Sequence, residues 1–323
     1  MKDGMSGPIL LLGQHGQVAR ELQRELSTLG ELVVVGRTPG PGAPGLQADL
    51  ARPDTLTAVV DAVRPALIVN AAAYTAVDRA ESEAERAFAV NAEAPAVLAQ
   101  AACRHGALLV HYSTDYVFDG RAQHPYREDD ATAPQGVYGR SKRAGEEAIV
   151  ASGCAHLIFR TSWVYGLHGQ NFMRTMRRLA RERDTLRVVA DQVGAPTWSR
   201  HIAQATAQVL AQLRGQPAGQ GGFDRGFGAA RGAACSGVYH LVSSGRCSWF
   251  EFAQAIIAHQ RGHEALAVRE VVPIATHEYP LPAARPAWSV LDAGKLADTF
   301  GVRLPDWTTA LAQVQQELDR EPI

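Results

Sequence analysis

Net charge is almost absent from this chain: 32 lysines and arginines face 33 aspartates and glutamates, for a formal charge of −1. That balance offers no electrostatic footprint for nucleic acid or an anionic membrane, and neither partner is expected. Long apolar runs are missing too, since none approaches the ~20 residues a membrane span needs. The first apolar run is short and flows straight into a glycine motif, so a signal peptide is not expected. Cysteine is scarce. The four cysteines (Cys103, Cys154, Cys235, Cys247) form no CxxC. They read as reduced thiols of a cytoplasmic protein, with neither disulfide nor metal implied. Internal repeats are absent.

What remains is ordinary globular composition, 46% hydrophobic and 20% charged over 323 residues. Such a length suggests roughly two domains of about 150 residues each. Short apolar runs at 8–12, 32–35, 66–70, 108–112 and 155–160 read as buried strands. Helical periodicity fills the intervals at 18–29, 54–63, 81–105 and 138–151. The 81–105 pattern is expected to break only at Pro95. This alternation predicts an α/β fold, a doubly wound parallel sheet of the Rossmann type. Residues 1–164 are expected to form a dinucleotide-binding domain. Residues 165–323 are expected to form a smaller substrate domain, partly interleaved with the first. A Gly/Ala/Arg-rich stretch at about 214–234 reads as an exposed insertion.

Gly13-Gln14-His15-Gly16-Gln17-Val18-Ala19 lies between the first strand and first helix, the context a dinucleotide loop requires. Gly13 permits the tight turn, and Gly16 lets backbone approach a pyrophosphate at the helix N-terminus. Ala19 keeps helix and strand close. A glycine turn of any α/β protein is the plainer alternative. After the second strand, Arg37 stands where a ribose-binding acid would, and an arginine there suits the 2′-phosphate of NADPH; a solvated surface arginine is the other reading. Asp49 and Leu50 are placed to cover the adenine. The small residues Ala71, Ala72 and Ala73 let a ligand lie against backbone.

Tyr138 and Lys142 stand one helical turn apart, in a Tyr-x-x-x-Lys. A nearby ammonium favours the phenolate, so Tyr138 is expected to titrate below its ordinary value and serve as general acid to a carbonyl receiving hydride. Alone, such a pair is usually surface decoration. Ser113, Thr114 and Asp115 at the end of the fourth strand give it context: Thr114 can donate to the same carbonyl oxygen. Trp163 can stack on a sugar or base, or be plain core. Asn171 and Arg285 can contact a nucleotide.

With these residues in hand, the chain resembles the dTDP-4-dehydrorhamnose reductases of the extended short-chain dehydrogenase superfamily. The resemblance runs from Ile9 to about Leu318 and rests on GQHGQV, NAAAYTAVDRAE, VHYSTDYVFDG, YGRSK, FRTSWVYG, NFMRTM, DQVGAPT and YHLVSSG. It implies reduction of the C4 keto group of dTDP-4-dehydro-L-rhamnose with NADPH, NADH being possible. It implies Tyr138, Lys142 and Thr114 as catalytic. Gln17, Val18, Asp49, Leu50 and Ala71 to Ala73 would line the cofactor beside Gly13 and Gly16, while Arg37 departs from the family, standing near where some members carry an acid, and tilts the preference towards NADPH. Thr114, Asp115, Trp163, Asn171 and Arg285 would line the substrate. Some members bridge a dimer through magnesium held by three acids. Here only Glu21 matches, Arg200 and Gly301 standing at the other positions, so that bridge is expected to be absent and the protein to be a monomer or homodimer. Nucleotide-sugar epimerases and dehydratases share this scaffold. A non-catalytic relative serves as a regulatory subunit of methionine adenosyltransferase.

Overall fold

The computed structural model describes residues 7–214 and 234–320. The expected insertion therefore lies largely outside the described residues. In chain order the first half comprises β1 (Ile9–Leu12), α1 (Gln17–Leu26), β2 (Leu32–Val35), α2 (Pro53–Val63), β3 (Leu67–Asn70), α3 (Val77–Ala80), α4 (Ala84–Phe88), α5 (Ala94–His105), β4 (Leu108–Thr114), α6 (Val137–Ala151) and β5 (His156–Thr161). The second half comprises β6 (Val164–Tyr165), α7 (Phe172–Glu182), β7 (Thr185–Val189), β8 (Val193–Gly194), β9 (Thr197–Trp198), α8 (Ser199–Leu213), β10 (Gly237–His240), β11 (Cys247–Ser248), α9 (Trp249–Arg261), β12 (Glu270–Ile274), α10 (Gly294–Phe300) and α11 (Trp307–Arg320).

Six strands form one parallel sheet in the order β10-β5-β4-β3-β1-β2. Both faces are covered, as a parallel sheet requires. Ile9 and Leu11 of β1 point into a core with Leu22 and Leu26 of α1 and Ile202 and Leu210 of α8. Leu10 and Leu12 alternate to the other face, with Leu56 of α2 and Leu98 of α5. Strand order reverses at β1, which has β2 on one side and β3 on the other. The crevice at the carboxyl ends of β1 and β3 is the topological switch point where such sheets bind ligands. A separate core of Tyr165, Trp198, Phe252, Ile256 and Val314 gathers α7, α9 and α11.

One local expectation fails. The 81–105 pattern is not one helix broken at Pro95. It divides at Glu81–Glu83 and passes through a π turn at Ala89–Glu93. Pro95 sits in the first turn of α5, where its missing N–H costs nothing. Ser113 and Thr114 end β4, as expected, and Thr114 pairs in register with Thr161 of β5.

Within this sheet, Glu146 of α6 and Arg160 of β5 form a buried two-pronged ion pair. Arg160 Nε donates to Glu146 Oε1 at 2.9 Å and Nη2 to Oε2 at 2.7 Å. Burial pushes the Glu146 carboxyl up, but the bonds and charge of Arg160, with Arg143, outweigh it and hold the carboxyl below its ordinary value. Its contribution to stability is thus present above the unfolded carboxylate range and is lost as pH falls through the depressed value. Replacing Arg160 by Met leaves a buried carboxylate and is expected to cost about 3–5 kcal/mol in urea unfolding at neutral pH. The gap from wild type should narrow on acidification, because protonation removes the stranded charge. A gap that does not change with pH would mean lost packing is the cause.

Candidate active site

Helix α6 carries the sequence's strongest motif, and two glycines decide how closely it docks. A Cβ at Gly139 would lie 2.2 Å from the Tyr116 carbonyl oxygen, and one at Gly145 would lie 2.1 Å from that of Asn91. Only glycine tolerates these approaches. Asn91 completes the seam: its side-chain amide donates to Ser141 Oγ at 3.0 Å and to the Tyr74 carbonyl at 3.0 Å. Tyr138, Lys142 and Glu146 then share one face of the helix.

Lys142 is 1% exposed. Its ammonium donates to the Tyr112 carbonyl at 2.6 Å and lies 3.0 Å from His111 Nε2. His111 Nδ1 in turn lies 3.1 Å from the Asn70 side-chain amide. Burial, with Lys142's charge, drives the His111 imidazolium well below its usual range, so the ring is neutral; with Nε2 accepting from Lys142, Nδ1 bears the proton and needs the Asn70 amide turned to present its oxygen. Burial pushes the Lys142 ammonium down to about 8, and Glu146 opposes that shift. Tyr138 goes the other way from expectation. Burial pushes its phenol up to about 12, with a Thr114 hydrogen bond working against the rise and Asp115 adding to it. Desolvation dominates, and the Lys142 N–H groups are turned to His111 and Tyr112.

Thr114 is buried, and its Oγ1 donates to Asp115 Oδ1 at 2.9 Å while accepting from Tyr116 N. Burial lifts the Asp115 carboxyl to about 7, against hydrogen bonds from Ser289 and Thr114. The ring of Tyr116 meets that of Tyr138 edge-on at 5.7 Å. These groups converge where β4 ends.

At the switch point, Gly13 has φ +111°, and a Cβ there would press on Ala71 at 3.3 Å and on the Ala19 methyl at 3.4 Å. Gly16 caps α1 without a side-chain cap, leaving first-turn amides available to an anion. Gln17 and Val18 follow, half-buried, in the first turn of α1. The Gln14 side chain ties the loop to the segment after β2, donating to the Thr38 carbonyl at 2.7 Å and accepting from Thr38 Oγ1 at 3.0 Å. A recess of ≈ 370 Å³ opens beside it, lined by Gln14, His15, Arg20, Thr38 and Pro39 among others. Arg37 is exposed just before Thr38. Leu50 is buried in the core with α2, and Asp49 Oδ1 accepts from Ala51 N. Ala71 and Ala72 are half-buried and Ala73 exposed at the end of β3.

The remaining expected site residues are engaged with protein. Trp163 has left-handed backbone, φ +46°, which is uncommon for a non-glycine residue and clusters at functional sites. Its ring stacks on Trp249 at 3.5 Å, so one face is already covered. Asn171 caps α7 through its Oδ1, and its amide donates to Gln17 Oε1 at 2.9 Å. Arg285 Nη2 pairs with Asp78 Oδ2 at 2.7 Å. Reading the sequence missed His111, Arg20 and Trp249. A histidine inside a buried strand, and an arginine one turn past Gly16, were the available signals.

This sheet, its glycine loop at the switch point and the Tyr138–Lys142 helix beside Thr114 define an NAD(P)-dependent oxidoreductase of the extended short-chain dehydrogenase class. The family model described as the RmlD substrate binding domain matches residues 7–320. A dTDP-4-dehydrorhamnose reductase of Burkholderia thailandensis is 48% identical over 313 residues, covering 96% of this chain and 98% of that protein. That of Escherichia coli K12 is 42% identical, covering 96% and 97%. The crystal structure of a dTDP-4-dehydrorhamnose reductase from Bacillus anthracis in complex with NADP matches with TM-score 0.81 at 32% identity, covering 97% of this chain and 100% of that one. The chain belongs to the dTDP-4-dehydrorhamnose reductase family.

The donor set at Glu21, Arg200 and Gly301 does not suit a bridging magnesium ion. Arg200 Nε pairs with Glu21 Oε2 at 3.0 Å, and its Nη1 pairs with Glu317. Gly301 ends α10 with φ +65° and offers no side-chain ligand. The guanidinium supplies the positive charge between two carboxylates and repels a further cation. Light scattering should therefore give the same oligomeric state with magnesium and with a chelator. Dissociation on chelation would show that another donor set holds the ion.

Proposed function

We propose that this chain reduces the C4 keto group of dTDP-4-dehydro-L-rhamnose to give dTDP-L-rhamnose, with NADPH as the favoured donor and NADH possible. One observation carries the reading: the Tyr138 phenol and the Thr114 side chain hydrogen-bond at the end of β4, one helical turn from the buried Lys142. Gly13, Gly16 and the first-turn amides of α1 fit a pyrophosphate, and Arg37 beside the Gln14–Thr38 tie suits a 2′-phosphate. When bound, the reduced nicotinamide supplies the hydride that C4 receives. Gln17, Val18, Asp49, Leu50 and Ala71 to Ala73 complete the cofactor wall. Asp115, Trp163, Asn171 and Arg285 face the sugar nucleotide.

Tyr138, held protonated at neutral pH, gives its proton to O4 as the carbonyl oxygen gains charge. Thr114 donates a hydrogen bond to the same oxygen, which requires its hydroxyl to turn from Asp115. Lys142 has three N–H groups. Two are fixed within the protein, leaving one to hold a cofactor hydroxyl. His111 is a positioning residue, because it orients the ammonium without reaching substrate.

Oxidation of NADPH in the presence of dTDP-4-dehydro-L-rhamnose tests the assignment. Tyr138→Phe should lose about 10²–10⁴-fold in kcat, the range for a general acid. Retained turnover would move the proton donor to Asp115. No turnover by a folded wild type that binds NADPH would point to another keto-sugar.

The pH profile tests His111. Activity that needs the ammonium falls as pH rises through about 8. His111→Leu removes an acceptor that stabilises the ammonium, so the alkaline fall should begin at lower pH. His111→Gln, which can still accept, should restore it. Identical profiles in both variants would leave His111 with packing alone.

A further inference from the structure

Far along the chain from these residues, His259, His263 and Asp319 bring one ligand atom each within 4.8 Å of one another. His259 belongs to α9 and Asp319 to α11. Gly262 keeps right-handed backbone after α9, φ −73° and ψ −13°, so His263 falls one turn beyond His259 on the same side. The two rings stack at 4.5 Å with 23° between planes. From these contacts we infer a binding site for one borderline divalent cation of the zinc type, clipping the end of α9 to the end of α11.

Hydrogen positions carry the argument. His263 Nδ1 lies 2.9 Å from the His259 carbonyl oxygen, which can only accept. Nδ1 therefore bears the proton, and in the neutral ring Nε2 is a lone pair. That lone pair faces Asp319 Oδ2 at 3.5 Å. His259 Nε2 lies 2.8 Å from the same oxygen. Two acceptors thus confront each other across His263 and Asp319 unless a proton or a cation lies between them. A dication fits between them, taking two nitrogen lone pairs and one carboxylate oxygen as the His259 Nε2 proton leaves. The His263 bond to backbone is the outer-shell contact that orients metal-binding imidazoles.

Surrounding charge permits this. Arg181 pairs with Glu264 Oε1 at 2.7 Å, and Arg177 lies 3.9 Å from the same oxygen. Arg177 also feels Asp319. Arg261 turns away to the Val268 carbonyl at 3.0 Å. Two imidazoles and one carboxylate select zinc, cobalt, nickel or copper over magnesium and calcium. Water would complete the coordination.

Zinc chloride titrated into chelator-treated full-length protein is the test, read by calorimetry and by Tm. A Cys103→Ser background removes the exposed thiol as a competing ligand. The expected result is one zinc per chain, with Tm rising as free zinc rises. His263→Gln and Asp319→Asn should each weaken binding at least ~10-fold, the loss seen even for outer-shell partners. Their metal-free Tm and NADPH turnover should stay close to wild type. Unchanged affinity in both variants, or no stoichiometric zinc in the parent, overturns the proposal.

Discussion

The distance between α6 and its neighbours sets most of what the site does. Gly139 and Gly145 let the helix settle against the carbonyls of Tyr116 and Asn91 at separations no other residue permits. That approach removes water from Lys142 and Glu146 together. Once Glu146 is buried it needs Arg160, whose guanidinium reaches it from β5 with two bonds. Arg160 also lies 5.0 Å above the Phe118 ring, within the turn that follows Asp115. Helix α6, strands β4 and β5 and the Asp115 turn are therefore positioned by one buried charge pair and two missing side chains.

Burial acts on each titrating group according to its charged form. It lowers Lys142 to about 8 and raises Asp115 to about 7 and Tyr138 to about 12. Glu146 alone escapes, because its partner is close and bidentate. Near neutral pH the site thus holds a protonated phenol, an ammonium close to its titration range, and a carboxyl poised between its two states. Such a set can give up a proton without exposing a strong charge.

The parallel half of the fold was legible because apolar runs and glycine punctuation repeat there at regular intervals. The Tyr-x-x-x-Lys spacing, the strand-end hydroxyls and the glycine loop were legible for the same reason: each motif is local. What escaped depends on tertiary partners. Nothing local marks 237–240 as a strand of the central sheet, since its partner β5 lies some 80 residues earlier by numbering. β7 and β12 pair with each other across a similar gap. The π turn at 89–93 is set by Asn91 reaching Ser141 and Tyr74, not by Pro95. Tyr138's direction was misjudged because spacing shows that Lys142 is near, not that two of its N–H groups are engaged by His111 and Tyr112 or that the phenol is buried. The His-x-x-x-His at 259–263 is visible in the sequence, but its third ligand comes from another helix.

Among the polar ties that join the later chain to the nucleotide-binding half in the described residues, three land beside the glycine loop or the Asp78 segment. Asn171 reaches Gln17 in the first turn of α1. Arg200 reaches Glu21, one turn further along the same helix. Arg285 reaches Asp78 of α3. Glu21 is 4% exposed, so its carboxylate depends on Arg200 far more than an exposed partner would. Helix α1 is thereby gripped on its sheet face by apolar packing and on its outer side by the later chain. The helix whose N-terminus would hold the cofactor phosphates is thus held from both sides, by apolar packing on the sheet and by Asn171 and Arg200 from the later chain.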